Sequence, residues 1–177
     1  MRTSKLFQAN LIREIILFIV LAIVTGTFFS ISLWTNLNRE FINRGTSIVN
    51  SIANSNVELV LNRDASTIQS TIDQFLDPQN GVAYVFVVNE QNTFIAHTFV
   101  PAVPTEIIKI ATGDKNKTLV RNVTIPGQGD YLDVTAPILA GVAGFAHVGM
   151  DLAIIRASIQ SAIINRLLLI GLVSYSA

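Results

Sequence analysis

Twenty consecutive residues from Ile15 to Trp34 carry no charge, and a second uncharged run starts at Leu167 and continues to Ala177. A helix rises about 1.5 Å per residue, so the first run reaches about 30 Å, the thickness of a bilayer's hydrocarbon core. The second, as far as it goes, covers only about 16 Å. The pairing predicts a membrane protein with two spans: a tail over 1–14, a first span over 15–34, a module over 35–165, and the cut-short start of a second span over 166–177. Whatever the second span delivers its signal to is expected beyond this sequence.

Taking out both spans leaves about 130 residues, the size of one ordinary domain. Formal charge is zero overall but unevenly spread. Arg2, Lys5 and Arg13 outweigh Glu14 before the first span, whereas residues 35–165 hold eight Lys/Arg against eleven Asp/Glu. The positive-inside tendency therefore keeps the tail in the cytoplasm and exports the module, so the expected site is the inner (plasma) membrane with a periplasmic or extracellular head. A cleaved signal peptide is the rival reading; its apolar region usually runs about 7–15 residues and is followed by a small-x-small cleavage site, neither of which is met here. Trp34 at the outer end suits an interfacial anchor. There is no cysteine, which removes disulfides, thiol catalysis and thiolate metal sites. A balance that is neutral to acidic offers no basic face for nucleic acid.

Beyond the first span Phe41, Ile48, Ile52 and Leu59 follow a 7, 4, 7 spacing, with Gly45 and Ser55 in the remaining seam positions. This predicts a long helix leaving the membrane with a narrow apolar stripe. Two partners are open to that stripe, the chain's own domain or a second copy of the chain. Asp64 is placed to cap a second helix carrying Ile68, Ile72, Phe75 and Leu76, which Asp77-Pro78 ends. Val82 to Val88 is wholly apolar and predicts a strand covered on both faces; Asn89 to Asn92 turns it into a hairpin whose other arm is Thr93 to Phe99. Pro101 and Pro104 break the sheet, and Glu106 to Ala111 predicts a short helix in a crossover over one face. Strands follow at Thr118–Ile125, Tyr131–Ile138 and Gly144–Met150, after which Asp151 caps a last helix through Ile154, Ile155, Ile159 and Ile163 into the second span. The order predicts an α+β module, an antiparallel sheet with helices on one side.

Three stretches carry a family resemblance. Val85-Phe86-Val87-Val88-Asn89-Glu90-Gln91-Asn92-Thr93-Phe94-Ile95-Ala96-His97, Asp133-Val134-Thr135-Ala136-Pro137-Ile138 and Gly144-Phe145-Ala146-His147-Val148-Gly149-Met150-Asp151 resemble, in that order, the strand signatures of single CACHE domains. These are PAS-like extracytoplasmic sensors of bacterial histidine kinases, nucleotide and diguanylate cyclases and chemoreceptors. The resemblance implies a PAS-like sheet with a pocket beneath the crossover for a small organic molecule, and terminal helices that carry the signal inward. The arginine-tryptophan-tyrosine-aspartate pattern of amino-acid recognition in double CACHE relatives is not found.

Arg121 alternates onto the strand face of Leu119, Val123 and Ile125. A guanidinium there needs a partner, and a ligand carboxylate fits it; an edge-strand arginine with its head in water is the other reading. Tyr131, Asp133 and Thr135 share one face of the next strand and offer hydrogen bonds to a polar ligand, or simply face solvent. His97 lies with Ile95 and Phe99, and His147 with Phe145 and Gly149. Two imidazoles suit a proton-sensitive or metal site, but their spacing supports no metal and a structural role competes. Tyr84 is either core or a hydroxyl reaching the pocket. No nucleophile elbow, phosphate loop or paired His-Glu helix motif is present, so no catalysis and no cofactor are expected. Asn116-Lys117-Thr118 and Asn122-Val123-Thr124 match glycosylation acceptors, which matter only in a eukaryotic secretory pathway. The expectation is a ligand-sensing input module of a bacterial transmembrane receptor, working as a homodimer in the lipid bilayer. The alternative is a membrane-anchored protein-interaction module with a PAS-like core and no small-molecule ligand.

Overall fold

The computed structural model describes residues 2–154 together with 156, 157, 160, 161 and 164. Its elements are α1 (Arg2–Ser55), α2 (Val57–Leu61), α3 (Ala65–Phe75), β1 (Val82–Val88), β2 (Phe94–His97), α4 (Thr105–Ile110), β3 (Leu119–Ile125), β4 (Gly129–Ile138) and β5 (Gly144–Asp151). The chain divides into two compact units, and the boundary falls inside α1, between Leu37 and Asn38. In the first unit Leu17, Phe18 and Phe28 are exposed, and Ile12–Ser55 is the one helix among the described residues long and apolar enough to cross a membrane, its most apolar 18-residue stretch having a mean hydropathy of 2.5. The expected second span lies outside the described residues.

The second unit, Asn38–Ser158, is built on a five-stranded antiparallel sheet in the order β2-β1-β5-β4-β3. On one face Val49, Ile52 and Ala53 of α1, Val60 of α2, and Ile68 and Ile72 of α3 pack against Val85 and Val87 of β1, Val134 and Ala136 of β4, and Val148 and Met150 of β5. Ile52, Ile68 and Ile72 are fully buried, each removing from water a side chain worth about 1.5–3 kcal/mol. The other face carries Tyr84, Phe86, Val88, Val123, Ile125 and Phe145, covered by Ile107 and Ala111 of the crossover. The three helical segments that precede the sheet thus share one side as expected, while the short α4 sits on the opposite side. With both faces covered, β1 is apolar at every position.

The apolar stripe after the membrane run takes the first of its two open partners. Gly45 is the point of closest approach: a Cβ there would stand 2.9 Å from Val134 Cγ2 and 3.2 Å from Met150 Cγ. The outward face of this part of α1 is left with Arg39, Glu40, Asn43, Arg44, Ser47, Ser51 and Asn54, all exposed. The expected helix through Leu59 is interrupted at Asn56. That buried side chain donates to the carbonyl of Ile52 at 2.8 Å, competing with the helix ladder.

Capping follows the sequence closely. Asp64 accepts from the backbone N–H and hydroxyl of Thr67 at 3.1 and 2.7 Å and opens α3. Asp151 accepts from the N–H of Ala153 at 2.7 Å, and residues 152–154 are helical. Ile155, Ile159 and Ile163 of the predicted last helix lie outside the described residues. The hairpin turn is fixed by Asn89, whose Oδ1 accepts from the N–H groups of Gln91 and Thr93, with Asn92 at φ 61°. Its second arm is shorter than predicted. After His97 the strand gives way to Thr98, whose hydroxyl accepts from Val85 N–H and donates to Val85 C=O. Gln69 of α3 covers the free edge, its amide bonded to both the N–H and the C=O of His97.

Candidate functional site

Strand register brings the chemistry to the crossover face in two neighbouring rows. One row runs His97, Phe86, His147, Thr135, Leu119; the next runs Tyr84, Gly149, Asp133, Arg121. The second row contains a gap at Gly149 that Tyr84 fills. A Cβ on that glycine would stand 2.1 Å from the Tyr84 ring, so the ring lies across β5 and its hydroxyl donates to Asp133 Oδ1 at 3.2 Å.

Asp133 is the hub, with no exposed surface. Its Oδ2 accepts from the Thr135 hydroxyl at 2.9 Å, lies 3.1 Å from His147 Nδ1, and faces Arg121 Nη2 at 3.5 Å. Thr135 Oγ1 is 3.0 Å from His147 Nδ1 and accepts from Arg121 Nη2 at 3.0 Å. The same Nη2 donates to the carbonyls of Ile110 at 2.9 Å and Thr112 at 2.7 Å, where α4 ends. Two hydrogens are thus shared among four acceptors, and the guanidinium ties the crossover to the sheet. The side chain of Arg121 is 28% exposed. It is an edge-strand arginine, as one sequence reading had it, but its head turns inward onto Asp133 rather than out to water.

Burial sets the protonation states. The fully buried His147 ring stacks on Phe86 with centroids 4.1 Å apart. Burial pushes its pKa below the ordinary 6.5, the charge and hydrogen bond of Asp133 oppose that, and Arg121 adds to it. Desolvation, then the Asp133 charge, raises the Tyr84 hydroxyl far above its usual range. Tyr131 is raised more mildly, by burial and then by Asp151.

Four of the residues singled out in the sequence, Tyr84, Arg121, Asp133 and Thr135, therefore share one hydrogen-bonded cluster. Tyr131 meets it only through its ring, 5.6 Å from that of Tyr84. His97 stands beyond Phe86, against the rings of Phe94 and Phe99. His147, which the sequence weighed with His97 for a proton-sensitive or metal site against a structural role, is the central member; its signal was the alternation Phe145, His147, Gly149 on a strand that is otherwise apolar. Buried nitrogens without a hydrogen-bond partner among the described residues are His147 Nε2, His97 Nδ1 and Arg121 Nε. Among those residues no group of three His, Asp or Glu side chains is arranged to hold a metal ion.

A family model described as single cache domain 3 matches residues 34–163. Among solved structures, the sensor domain of DcuS from E. coli superposes with a TM-score of 0.52 at 16% identity, covering 69% of this chain and 96% of that one. The periplasmic domain of LuxQ from Vibrio cholerae gives a TM-score of 0.52 at 16% identity, covering 79% of this chain and 70% of that one. At that identity the likeness is one of fold. No curated protein matches the chain.

Proposed function

The chain belongs to the single cache domain 3 family, and from that premise we propose that its folded module is the extracytoplasmic, small-molecule-sensing input of a bacterial transmembrane receptor. The observation that carries the proposal is the inward-facing cluster of Arg121, Asp133, Thr135, His147 and Tyr84 beneath the crossover. Buried polar groups are ordinarily satisfied, and three nitrogens on this face without partners among the described residues support a ligand that completes their hydrogen bonding. Arg121 is the mechanical link, since one nitrogen grips both the sheet and the end of α4. A ligand that competes for it would loosen or reseat the crossover. The change would pass along β5 to the helix begun at Asp151 and so to a cytoplasmic output domain. A ligand biases two signalling states only by the difference in its affinity for them.

The receptor is further proposed to act as a homodimer. The stripe from Phe41 to Leu59 is occupied by the chain's own sheet, so apolar pairing through α1 would fall to the stretch within the bilayer, around Leu17, Phe18 and Phe28. One observation favours the second reading, a protein-interaction module without ligand: Tyr84, Phe86 and His147 already bury one another. Thermal-shift measurements on the full chain in lipid nanodiscs, against a panel of metabolites, separate the two. At a hundred times its Kd a ligand stabilises by about 2.7 kcal/mol, a rise of about 10 °C for a module of this size. A flat response across the panel would favour the ligand-free reading.

A further inference from the structure

One charged group and one chargeable group meet at a single buried carboxylate. Arg121 Nη2 stands 3.5 Å from Asp133 Oδ2, His147 Nδ1 stands 3.1 Å from the same oxygen, and both nitrogens lie 3.0 Å from the Thr135 hydroxyl oxygen. With His147 neutral the charges of Arg121 and Asp133 cancel. A carboxylate only accepts, so Nδ1 carries the proton of the neutral ring and a second proton goes to Nε2. That nitrogen is buried and has no partner among the described residues. Charging the ring therefore sets a second cation against Arg121 and leaves a buried N–H without an acceptor, and both penalties fall only if a neighbour moves. His147 is fixed, since it lies on an inner strand with no exposed surface and stacks on Phe86 at 4.1 Å. Arg121 is free to go: it lies on the edge strand β3, its side chain is 28% exposed, and its contact is the longer of the two to that oxygen. When it swings out, Nη2 also leaves the carbonyls of Ile110 and Thr112, the bonds that tie the crossover to the sheet.

Resting on the sensing role proposed above, in which the crossover is the moving part, we propose that the cluster is also a proton switch: uptake of one proton by His147 displaces Arg121 from Asp133 and frees the end of α4, so that acid is an input at the same face. The charged and titratable groups set around the ring are Asp133 of β4, Arg121 of β3 and Tyr84 of β1. His97 of β2 stands beyond Phe86, and α4 turns Ile107 to this face rather than Glu106 or Lys109. Burial opposes the charged ring, Asp133 favours it and Arg121 opposes it again, which sets the switch below the ordinary 6.5.

The test uses the full chain in nanodiscs between pH 7.5 and 5, with the proton as the only probe. Nitroxides on Lys109→Cys of α4 and Ser51→Cys of α1, exposed positions on opposite sides of the sheet in a chain without cysteine, report the crossover by double electron–electron resonance. One distance is expected at pH 7.5. A second, longer one should grow in with acid, its ratio to the first rising by at most about tenfold per pH unit, the slope of a single proton. The nitrogen-15 NMR signals of the His147 ring should titrate over the same range. Arg121→Gln is expected to make the distances independent of pH while the ring takes its proton at higher pH, a shift that a merely structural arginine would not cause. His147→Phe should keep the pH 7.5 distance at pH 5; should it fail to fold, the unsubstituted protein and Arg121→Gln decide the matter. A ring that titrates while the distance stays fixed, a ring that stays neutral until the module unfolds, or a distance that still moves with acid in either variant would overturn the proposal. If the metabolite panel raises the melting temperature while acid moves nothing, this inference fails and the sensing role stands. If acid moves the crossover and the panel gives no response, the switch stands and the small-molecule reading fails.

Discussion

Replacing the Asp133 carboxylate by a carboxamide, Asp133→Asn, keeps the shape of the hub and removes its charge. Oδ2 takes the Thr135 hydroxyl at 2.9 Å, the His147 Nδ1 proton at 3.1 Å and the Arg121 contact at 3.5 Å, while Oδ1 takes only the Tyr84 hydroxyl. The oxygen of the introduced amide would therefore turn toward Thr135 and His147, and its NH2 toward Tyr84, whose oxygen can accept. Geometry is largely preserved, so the loss comes from charge assistance. Bonds to a charged acceptor are worth about 1.5–3 kcal/mol against about 0.5–1.5 for neutral ones, or about 1 kcal/mol per bond for Thr135 and His147. The Arg121 contact is long and its side chain partly exposed, so solvent screening holds its share to a few tenths of a kcal/mol. The expected loss is about 2–3 kcal/mol, which lowers the melting temperature by about 8–12 °C in circular dichroism of the full chain in micelles. Asp130→Asn, on the same strand but paired to the exposed Arg156, is the control and should leave the melting temperature where it was. If Asp133→Asn melted with the unsubstituted protein, the cluster would not be a stabilising unit, and the pairing argued for Arg121 and His147 would be wrong.

Acid should weaken the module through His147. Its folded-state pKa is depressed, so the unfolded chain binds more protons; the stability it contributes is present above the ordinary 6.5 and is lost as pH falls below that value. The groups that face it are Asp133 and Thr135 from β4, Arg121 from β3 and Tyr84 from β1, and of these only Asp133 opposes the loss. Denaturant melts from pH 7.5 to 5 should show the decline, and a decline that persisted unchanged in His147→Phe would refute the assignment. Gly149→Ala should push the Tyr84 ring off β5 and cost about 1–3 kcal/mol, read as a lower denaturation midpoint with a changed Tyr84 ring signal in NMR; an unmoved ring would mean that the glycine is not its seat. Because the chain has no cysteine, single substitutions report topology cleanly. Lys117→Cys should react with a membrane-impermeant maleimide in intact cells and Ser4→Cys only after permeabilisation, and the reverse pattern would place the module in the cytoplasm.

Much of the architecture could be read from local chemistry because local chemistry determines it. An unbroken apolar run from Val82 to Val88 has no place except between two covered faces, and Asp64, Asn89 and Asp151 bond to backbone groups within four residues of themselves. What sequence reasoning left open depended on contacts distant in the chain. Whether the stripe of α1 met its own sheet or a second copy turned on Gly45, whose missing side chain admits Val134 and Met150 from strands about ninety and a hundred residues away. The interruption at Asn56 was hidden because an asparagine within an apolar period looks like any exposed helical position until its side chain is seen to bond Ile52.

The candidate site divides along the same line. Alternation along single strands put Arg121 with Val123, and Asp133 with Thr135, on their correct faces, but alternation says nothing of register between strands. It is register that sets Asp133 opposite Gly149 and Gly149 opposite Tyr84, and so turns a glycine into the opening through which a tyrosine on β1 reaches a carboxylate on β4. The same register places His147 beside Thr135 and within reach of Asp133, which converts an ordinary histidine on an apolar strand into a neutral acceptor held by two polar neighbours. Arg121 shows the reverse. Seen alone it is a cation awaiting an anion; the register supplies Asp133 and the chain turn after α4 supplies two carbonyls, which together engage its Nη2, while Nε stays without a partner among the described residues. Alternation thus shows which side chains share a face, and only register shows which of them become one another's partners, as Asp133, Thr135, His147 and Arg121 do here.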